Sequence, residues 1–214
     1  MGADIYWDDL WHRRDEPAAW SHPDAWVVAG LQSLRDRGVT TTLDVGCGVG
    51  RHTALLARQG FTSHGIDKGA AALARTREAA SAQDLSVSVT LGDLTSLPYR
   101  SASFDFVLAF NVNYHADEDG LRQAVVEVRR VLRPGGLYQA TMLSKRNREY
   151  GRGIEISANT FCQPDATDDK VHPHLYTDAE DLLRLHEGFD LLSAVDAEQS
   201  TAGSFHWQCL FEVA

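Results

Sequence analysis

The chain has 214 residues, 43% of them hydrophobic and 23% charged, which suits one folded domain and excludes disordered or collagen-like sequence. Its net charge is −10, and from Asp165 to Ala214 eleven acids stand against two bases, a field that repels a phosphate backbone and disfavours nucleic acid as a partner. No apolar run approaches the ~20 residues of a membrane span, and Asp4, Asp8 and Asp9 do not fit a secretion signal, so a soluble cytoplasmic protein is expected.

A tryptophan-rich stretch (Trp7, Trp11, Trp20, Trp26) opens the chain, and residues 1–38 read as an N-terminal aromatic cap. Strands and helices then alternate through a core spanning 39–143. Val39–Val45 predicts a buried strand, Arg51–Gln59 a short helix stopped by Gly60, and Thr62–Ile66 a second strand. Ala70–Ala82 predicts a helix, Val87–Leu91 a third strand, and the almost wholly apolar Phe104–Phe110 a fourth. Leu121, Ala124, Val125, Val128, Val131 and Leu132 recur at helical spacing up to Arg133-Pro134-Gly135-Gly136, and Leu137–Leu143 predicts the fifth strand. This repetition implies an α/β fold with a doubly wound, mostly parallel sheet and helices on both faces. Residues 144–176 are polar, weakly periodic and too long for an ordinary connection, which suggests a substrate loop or lid. Residues 177–214 close the single domain: Thr177-Asp178-Ala179-Glu180 reads as a capping box opening a helix through Glu187, and two strands follow at Phe189–Asp196 and Phe205–Val213.

Three cysteines, Cys47, Cys162 and Cys209, are odd in number, widely spaced and without a Cys-x-x-Cys pair, which fits a reducing compartment. Seventeen arginines against three lysines, with abundant alanine, suggest a GC-rich bacterial gene.

The chemistry concentrates in Asp44-Val45-Gly46-Cys47-Gly48-Val49-Gly50, between a strand and a helix. Alternate glycines clear side chains from the turn, and the helix behind presents free N–H groups to a ligand at the carboxyl end of the strand. Asp67, at the end of the second strand, can accept both hydroxyls of a ribose, and Asp93, after the third, can accept an exocyclic purine amine. The dinucleotide pattern G-x-G-x-x-G fails in either register, because Arg51 or Thr53 stands where its last glycine belongs, and no Gly-Lys-Ser/Thr supports a P-loop.

These residues closely resemble the motifs of class I S-adenosylmethionine-dependent methyltransferases, most strongly over 39–143. The resemblance extends to Ser103-Phe104-Asp105-Phe106-Val107 as the fourth strand and Pro134–Gly136 before the fifth. It implies a Rossmann-like seven-stranded sheet with an antiparallel last strand and S-adenosyl-L-methionine as cofactor. It also implies that Asp44, Gly46, Cys47, Gly48, Gly50 and Asn111 surround the methionine part, Asp67 the ribose, and Asp93 and Leu94 the adenine, with Lys68 a further cofactor contact. The expected activity is metal-independent methylation of an O, N or S atom of a small-molecule acceptor by a monomer or homodimer. A nicotinamide-dependent oxidoreductase and a non-catalytic cofactor-binding module are the alternatives.

Candidate acid–base residues are His115, behind the fourth strand in Asn111-Val112-Asn113-Tyr114-His115, and His172 and His174 in His172-Pro173-His174-Leu175-Tyr176. No third ligand stands at a diagnostic spacing from His172 and His174, so no metal is expected. Substrate contacts are expected from Tyr6, Trp7, Trp11, Arg51, Tyr114, Arg146, Tyr176 and His206. The Tyr6–Trp11 run resembles the aromatic opening segment of thiopurine and thiol methyltransferases and, more loosely, of the tellurite-resistance type. Lys145, Arg146, Arg148 and Arg152 form a basic cluster that could draw in an anionic acceptor.

Overall fold

The computed structural model describes residues 3–12, 20, 22–199 and 201–214. Alternation along one strand sets the layers. In β4 (Phe104–Ala109), Phe106 and Leu108 pack on one side with Val27, Leu31, Leu34, Leu55 and Leu56, while Val107 and Ala109 pack on the other with Leu121, Val125, Val128 and Val131. Successive side chains of a strand point to opposite faces, so an unbroken apolar run needs cover on both. That cover comes from α2 (Ala25–Asp36) and α3 (Arg51–Arg58) on the first face and α5 (Glu118–Val131) on the second. Asp117 accepts the Gly120 N–H at 2.9 Å to start α5, and Arg129 and Arg130 stand in its last turn, where cations suit the helix dipole. α1 (Ala3–His12) packs against α4 (Ala70–Ser81).

β1 (Thr41–Val45), β2 (Thr62–Asp67), β3 (Val87–Leu91), β4 and β5 (Leu132–Ser144) are parallel in the order β3-β2-β1-β4-β5. β10 (Phe205–Val213) runs antiparallel between β5 and β9 (Phe189–Glu198), which completes the expected seven strands with a reversed last one.

Three further strands lie where a lid without regular structure was expected. β6 (Ile154–Ser157) and β7 (Thr160–Cys162) form a hairpin around Asn159, whose φ is 55°, and β8 (His174–Thr177) joins β7 to the end of β5 through Leu143–Tyr176 and Ser144–Thr177. The connected sheet therefore has ten strands. Segments of three or four residues are too short to leave a periodic signal. The last helix also starts differently. In α6 (Ala179–Leu185) the reciprocal cap is Asp178 with Asp181, because Thr177 is buried in β8 and its hydroxyl donates to the Leu143 carbonyl at 3.1 Å. No described helix is long and apolar enough to cross a membrane.

Candidate active site

Gly46 and Gly50 bend the chain between β1 and α3 with φ of 65° and 80°, a region that favours glycine. Space is as restrictive as conformation: a Cβ on Gly46 would lie 2.7 Å from Val112 Cβ, and one on Gly50 would lie 2.8 Å from Thr76 Oγ1. The Cys47 N–H donates to the Ile66 carbonyl at 3.0 Å, tying the loop to β2. Cys47 is buried, and burial pushes its thiol up, so it fills space rather than reacting. Beneath the loop, Asp44 is buried with Thr53 Oγ1 donating to its Oδ2 at 2.7 Å. Burial raises its carboxyl to about 7, only partly offset by that hydrogen bond and the charge of Arg51.

Asp67 is fixed by two backbone donors, Gly48 N–H to Oδ2 and Gly69 N–H to Oδ1, each at 2.8 Å. A carboxylate offers about four lone-pair sites on its two oxygens, which suits it to accepting a pair of neighbouring hydroxyls. Asp93 receives the Thr95 N–H and hydroxyl at 2.8 Å on Oδ1 and Lys68 Nζ at 2.7 Å on Oδ2. Burial pulls its carboxyl up, but Lys68 and Thr95 outweigh that and hold it below the usual range. Asn111 has a φ of 57°; its N–H donates to Thr141 Oγ1 at 2.6 Å, and that hydroxyl donates back to Asn111 Oδ1 at 3.0 Å.

One cavity joins these groups. Asp44, the glycine loop, Asp67, Lys68, Asp93, Leu94 and Asn111 line it together with Arg51, Trp7, Trp11 and His115. α1 forms the roof. Trp11 lies over Gly48, whose Cβ would stand 3.4 Å from the indole, and its carbonyl accepts from Arg75 at 3.3 Å. Trp7 stacks on Trp11 with ring centroids 5.9 Å apart and meets His115 at 5.4 Å. The first part of the expected aromatic cap is therefore a helix over the glycine loop and α4, whereas α2 of the same segment packs on the sheet. Of the cap segment 1–38, residues 1, 2, 13–19 and 21 lie outside the described residues.

Behind that lining, His172 and His174 converge on His115, with the three ring centroids 4.8 to 4.9 Å apart. Tyr6 reaches His172 at 5.6 Å. Burial and the neighbouring His174 and His172 hold His115 well below the ordinary imidazole range, so it carries a lone pair at neutral pH. Burial and His174 lower His172 to about 4.

Five expected substrate residues stand away from the cavity lining, Tyr6 among them, with its ring against His172. Tyr114 and Tyr176 are buried in the main core. His206 pairs with Leu143 inside the sheet, its Nδ1 donating to the Ser204 carbonyl at 3.2 Å. Arg146 is exposed, with its guanidinium 4.1 Å over Phe205 and 3.3 Å from Asp196. The basic cluster is neutralised locally: Lys145 binds Asp178 and Asp181 at 2.7 and 2.8 Å, and Arg148 and Arg152 face Glu149. The cavity also includes Trp20 of the tryptophan-rich opening, His52 beside Arg51, both within the expected site, and Phe110, which motif spacing did not identify. Arg51 sits 5.0 Å from the Trp20 ring and 5.2 Å from Phe110. His52 is buried and accepts the Asp24 N–H at 3.0 Å, with burial and Arg51 lowering it to about 3. The position of Phe110, immediately before Asn111 at the end of β4, was the available signal.

Comparison with known proteins agrees with this geometry. The methyltransferase domain family matches residues 42–136. A protein of Encephalitozoon cuniculi that carries a methyltransferase name is 32% identical over 166 residues, covering 74% of each chain. Another, from a Geobacillus species, is 31% identical over 134 residues, covering 62% of this chain and 53% of its own, so the chain spans about half the length of that relative. The fold superposes with a TM-score of 0.72 on the N-methyltransferase NodS of Bradyrhizobium japonicum in complex with S-adenosyl-L-homocysteine, at 18% identity over 100% of this chain and 99% of that one. With the glycine cradle, the two acids and an unbroken core in place, the chain belongs to the class I S-adenosylmethionine-dependent methyltransferases, whose methyl donor is S-adenosyl-L-methionine.

Proposed function

We propose that the protein transfers the methyl group of S-adenosyl-L-methionine to an oxygen, nitrogen or sulfur of a small-molecule acceptor, without a nucleic-acid or membrane partner. The observation that carries this reading is the continuity of one cavity from Asp67 and Asp93, past the glycine loop and Asn111, to Trp7 and His115. A tryptophan roof over such a cavity suits a small acceptor better than a polymer. The names of structural neighbours support the class, among them NodS as an N-methyltransferase and a Burkholderia thailandensis enzyme that methylates N1 of 1,6-didemethyltoxoflavin.

In this reading Asp67 holds the ribose hydroxyls, Asp93 with Lys68 and Leu94 lies at the adenine, and Asp44 and the glycine loop surround the methionine part. Bound cofactor supplies a methyl on a positively charged sulfur. The chain's contribution is positioning, since displacement needs acceptor, methyl and sulfur in line. The roof of Trp7 and Trp11 excludes water. An acceptor O–H or S–H must lose its proton as the new bond to carbon forms and the carbon–sulfur bond breaks. His115, neutral at the cavity edge with His172 and His174 behind it, takes that proton.

The test begins with thermal melting in S-adenosylhomocysteine, S-adenosylmethionine and NAD in parallel. A ligand at ~100 times its dissociation constant adds about 2.7 kcal/mol. The adenosyl ligands alone should raise the melting temperature, and labelled methyl should then pass to members of an acceptor panel. A shift with NAD alone overturns the reading, and binding without transfer to any acceptor leaves a cofactor-binding module.

A further inference from the structure

We infer that His115, His172 and His174 form a binding site for one late transition-metal ion of the zinc class, set at the acceptor end of the cavity. The inference deepens the methyltransferase reading and rests on it for the role of the ion, though not for its binding.

The fold supplies what sequence spacing lacked. His172 and His174 flank Pro173 at the start of β8, and β8 docks on the end of β5, while His115 arrives from the segment after β4. One ring nitrogen from each lies within 4.8 Å of the others. Nitrogens equally spaced at that limit stand ~2.8 Å from their common centre, so each needs a shift of ~0.7 Å to reach the zinc–imidazole bond length. Side-chain adjustment covers a movement of that size.

Hydrogen bonding leaves two of the three required lone pairs without a partner, and the third, on His174 Nε2, faces Lys170. The Nδ1 of His174 lies 2.9 Å from the His172 carbonyl; a carbonyl only accepts, so Nδ1 carries the hydrogen and Nε2 the lone pair. His172 likewise directs Nδ1 to the Pro173 carbonyl at 3.4 Å, leaving Nε2 bare. That Nε2 and the Nδ1 of His115 are buried without any hydrogen-bond partner. Two orphaned imidazole nitrogens converging with a third are costly in a structural cluster and are satisfied together by a shared ion. The backbone carbonyls that fix the tautomers of His172 and His174 are the outer-shell partners that metal-bound histidines use.

One group competes. Lys170 Nζ and Asp169 Oδ2 each lie 3.3 Å from His174 Nε2, and Lys170 is held by Asp169 Oδ1 at 2.9 Å. Ion binding moves the ammonium fully onto Asp169, whose carboxylate stands ready beside it.

Three neutral ligands leave a coordination position open, as catalytic zinc sites do. His115 lines the cavity, so this position lies toward an acceptor there. An acceptor O–H or S–H bound to the ion would release its proton to solvent water at lower pH than when free, so the metal-bound oxyanion or thiolate would form without His115 as the base.

The test uses the full chain, stripped with chelator, and zinc chloride as the probe in calorimetric titration. One ion per chain should bind, and His172→Asn and His115→Asn should each weaken binding by at least roughly the 10–100-fold that loss of an outer-shell partner costs. Lys170→Met should tighten it. Cobalt chloride should give the visible absorption of a tetrahedral ion, absent in both histidine variants. Folding of each variant is checked by its S-adenosylhomocysteine melting shift. Zinc binding that both variants retain, or none in the unaltered chain, overturns the site. A preserved S-adenosylhomocysteine shift in that case shows that the metal inference alone has failed, whereas loss of the shift with zinc binding intact counts against the methyltransferase reading.

Discussion

Gly48 donates its backbone N–H to Asp67 Oδ2 at 2.8 Å, joining the glycine loop to the acid that ends β2. One carboxylate thus both fixes the loop and faces the cavity. Asp67→Ala should weaken S-adenosylhomocysteine binding by roughly 10–100-fold, since hydrogen bonds to a charged group contribute about 1.5–3 kcal/mol. Calorimetric titration measures this, and unchanged affinity would exclude Asp67 from the ribose site.

Asp44 makes stability depend on pH. Its folded carboxyl titrates near 7 because it is buried, against 3.8 for the free group. The native state therefore holds this proton more tightly, and the stability it confers is full below about pH 4 and is lost as pH rises through 7. Melting temperature of the ligand-free protein should fall across that window, and Asp44→Asn should flatten the fall. An equally steep decline in the variant would assign it to another group.

At Gly46, replacement by alanine meets two penalties. The left-handed backbone costs about 1–2 kcal/mol for a residue with a Cβ, and the new methyl presses on Val112. Urea unfolding of Gly46→Ala should show at least that loss. Adding Val112→Gly, which also removes the Cβ that the new methyl meets, should relieve the contact and leave the backbone cost. Full recovery in the double variant would mean that φ imposes no penalty.

Trp7 closes the cavity through Trp11 and His115, so Trp7→Ala should speed release of S-adenosylhomocysteine in stopped-flow fluorescence. Trp7→Phe should retain most of the slow release, because a ring still fills the roof. Equal rates in all three proteins would remove α1 from the closing role.

Legibility in the sequence followed the range of the interactions. The glycine loop, Asp67 and Asp93 could be read because each lies at the end of a strand whose apolar run declares itself within a few residues. Tyr176 and Tyr114 could not be sorted from cavity residues. Both lie within two residues of a cluster histidine, yet their side chains are buried in the core, where the Leu175 N–H of β8 donates to the Tyr114 carbonyl, a pairing that exists only in the fold. The partnership of His115 with His172 and His174 was hidden for the same reason. Local pattern did succeed for α5, where the buried stripe from Leu121 to Val131 matches the spacing. It chose the wrong cap for α6 because Thr177 and Asp178 both offer a capping oxygen, and strand pairing claims the first.

The insertion of β10 between β5 and β9 also governs the order in which the protein can be assembled. β5 is almost entirely buried from Leu137 onward, yet its antiparallel neighbour joins Leu143 to His206 across the lid, α6 and β9. During synthesis, the parallel half of the sheet can form while this edge still presents unpaired N–H and C=O groups beside apolar side chains. Such an edge invites pairing with another chain. A ribosome stalled before Phe205 should therefore carry a nascent chain that binds holdase chaperones and is easily cleaved, and release from both should coincide with emergence of Phe205–Val213.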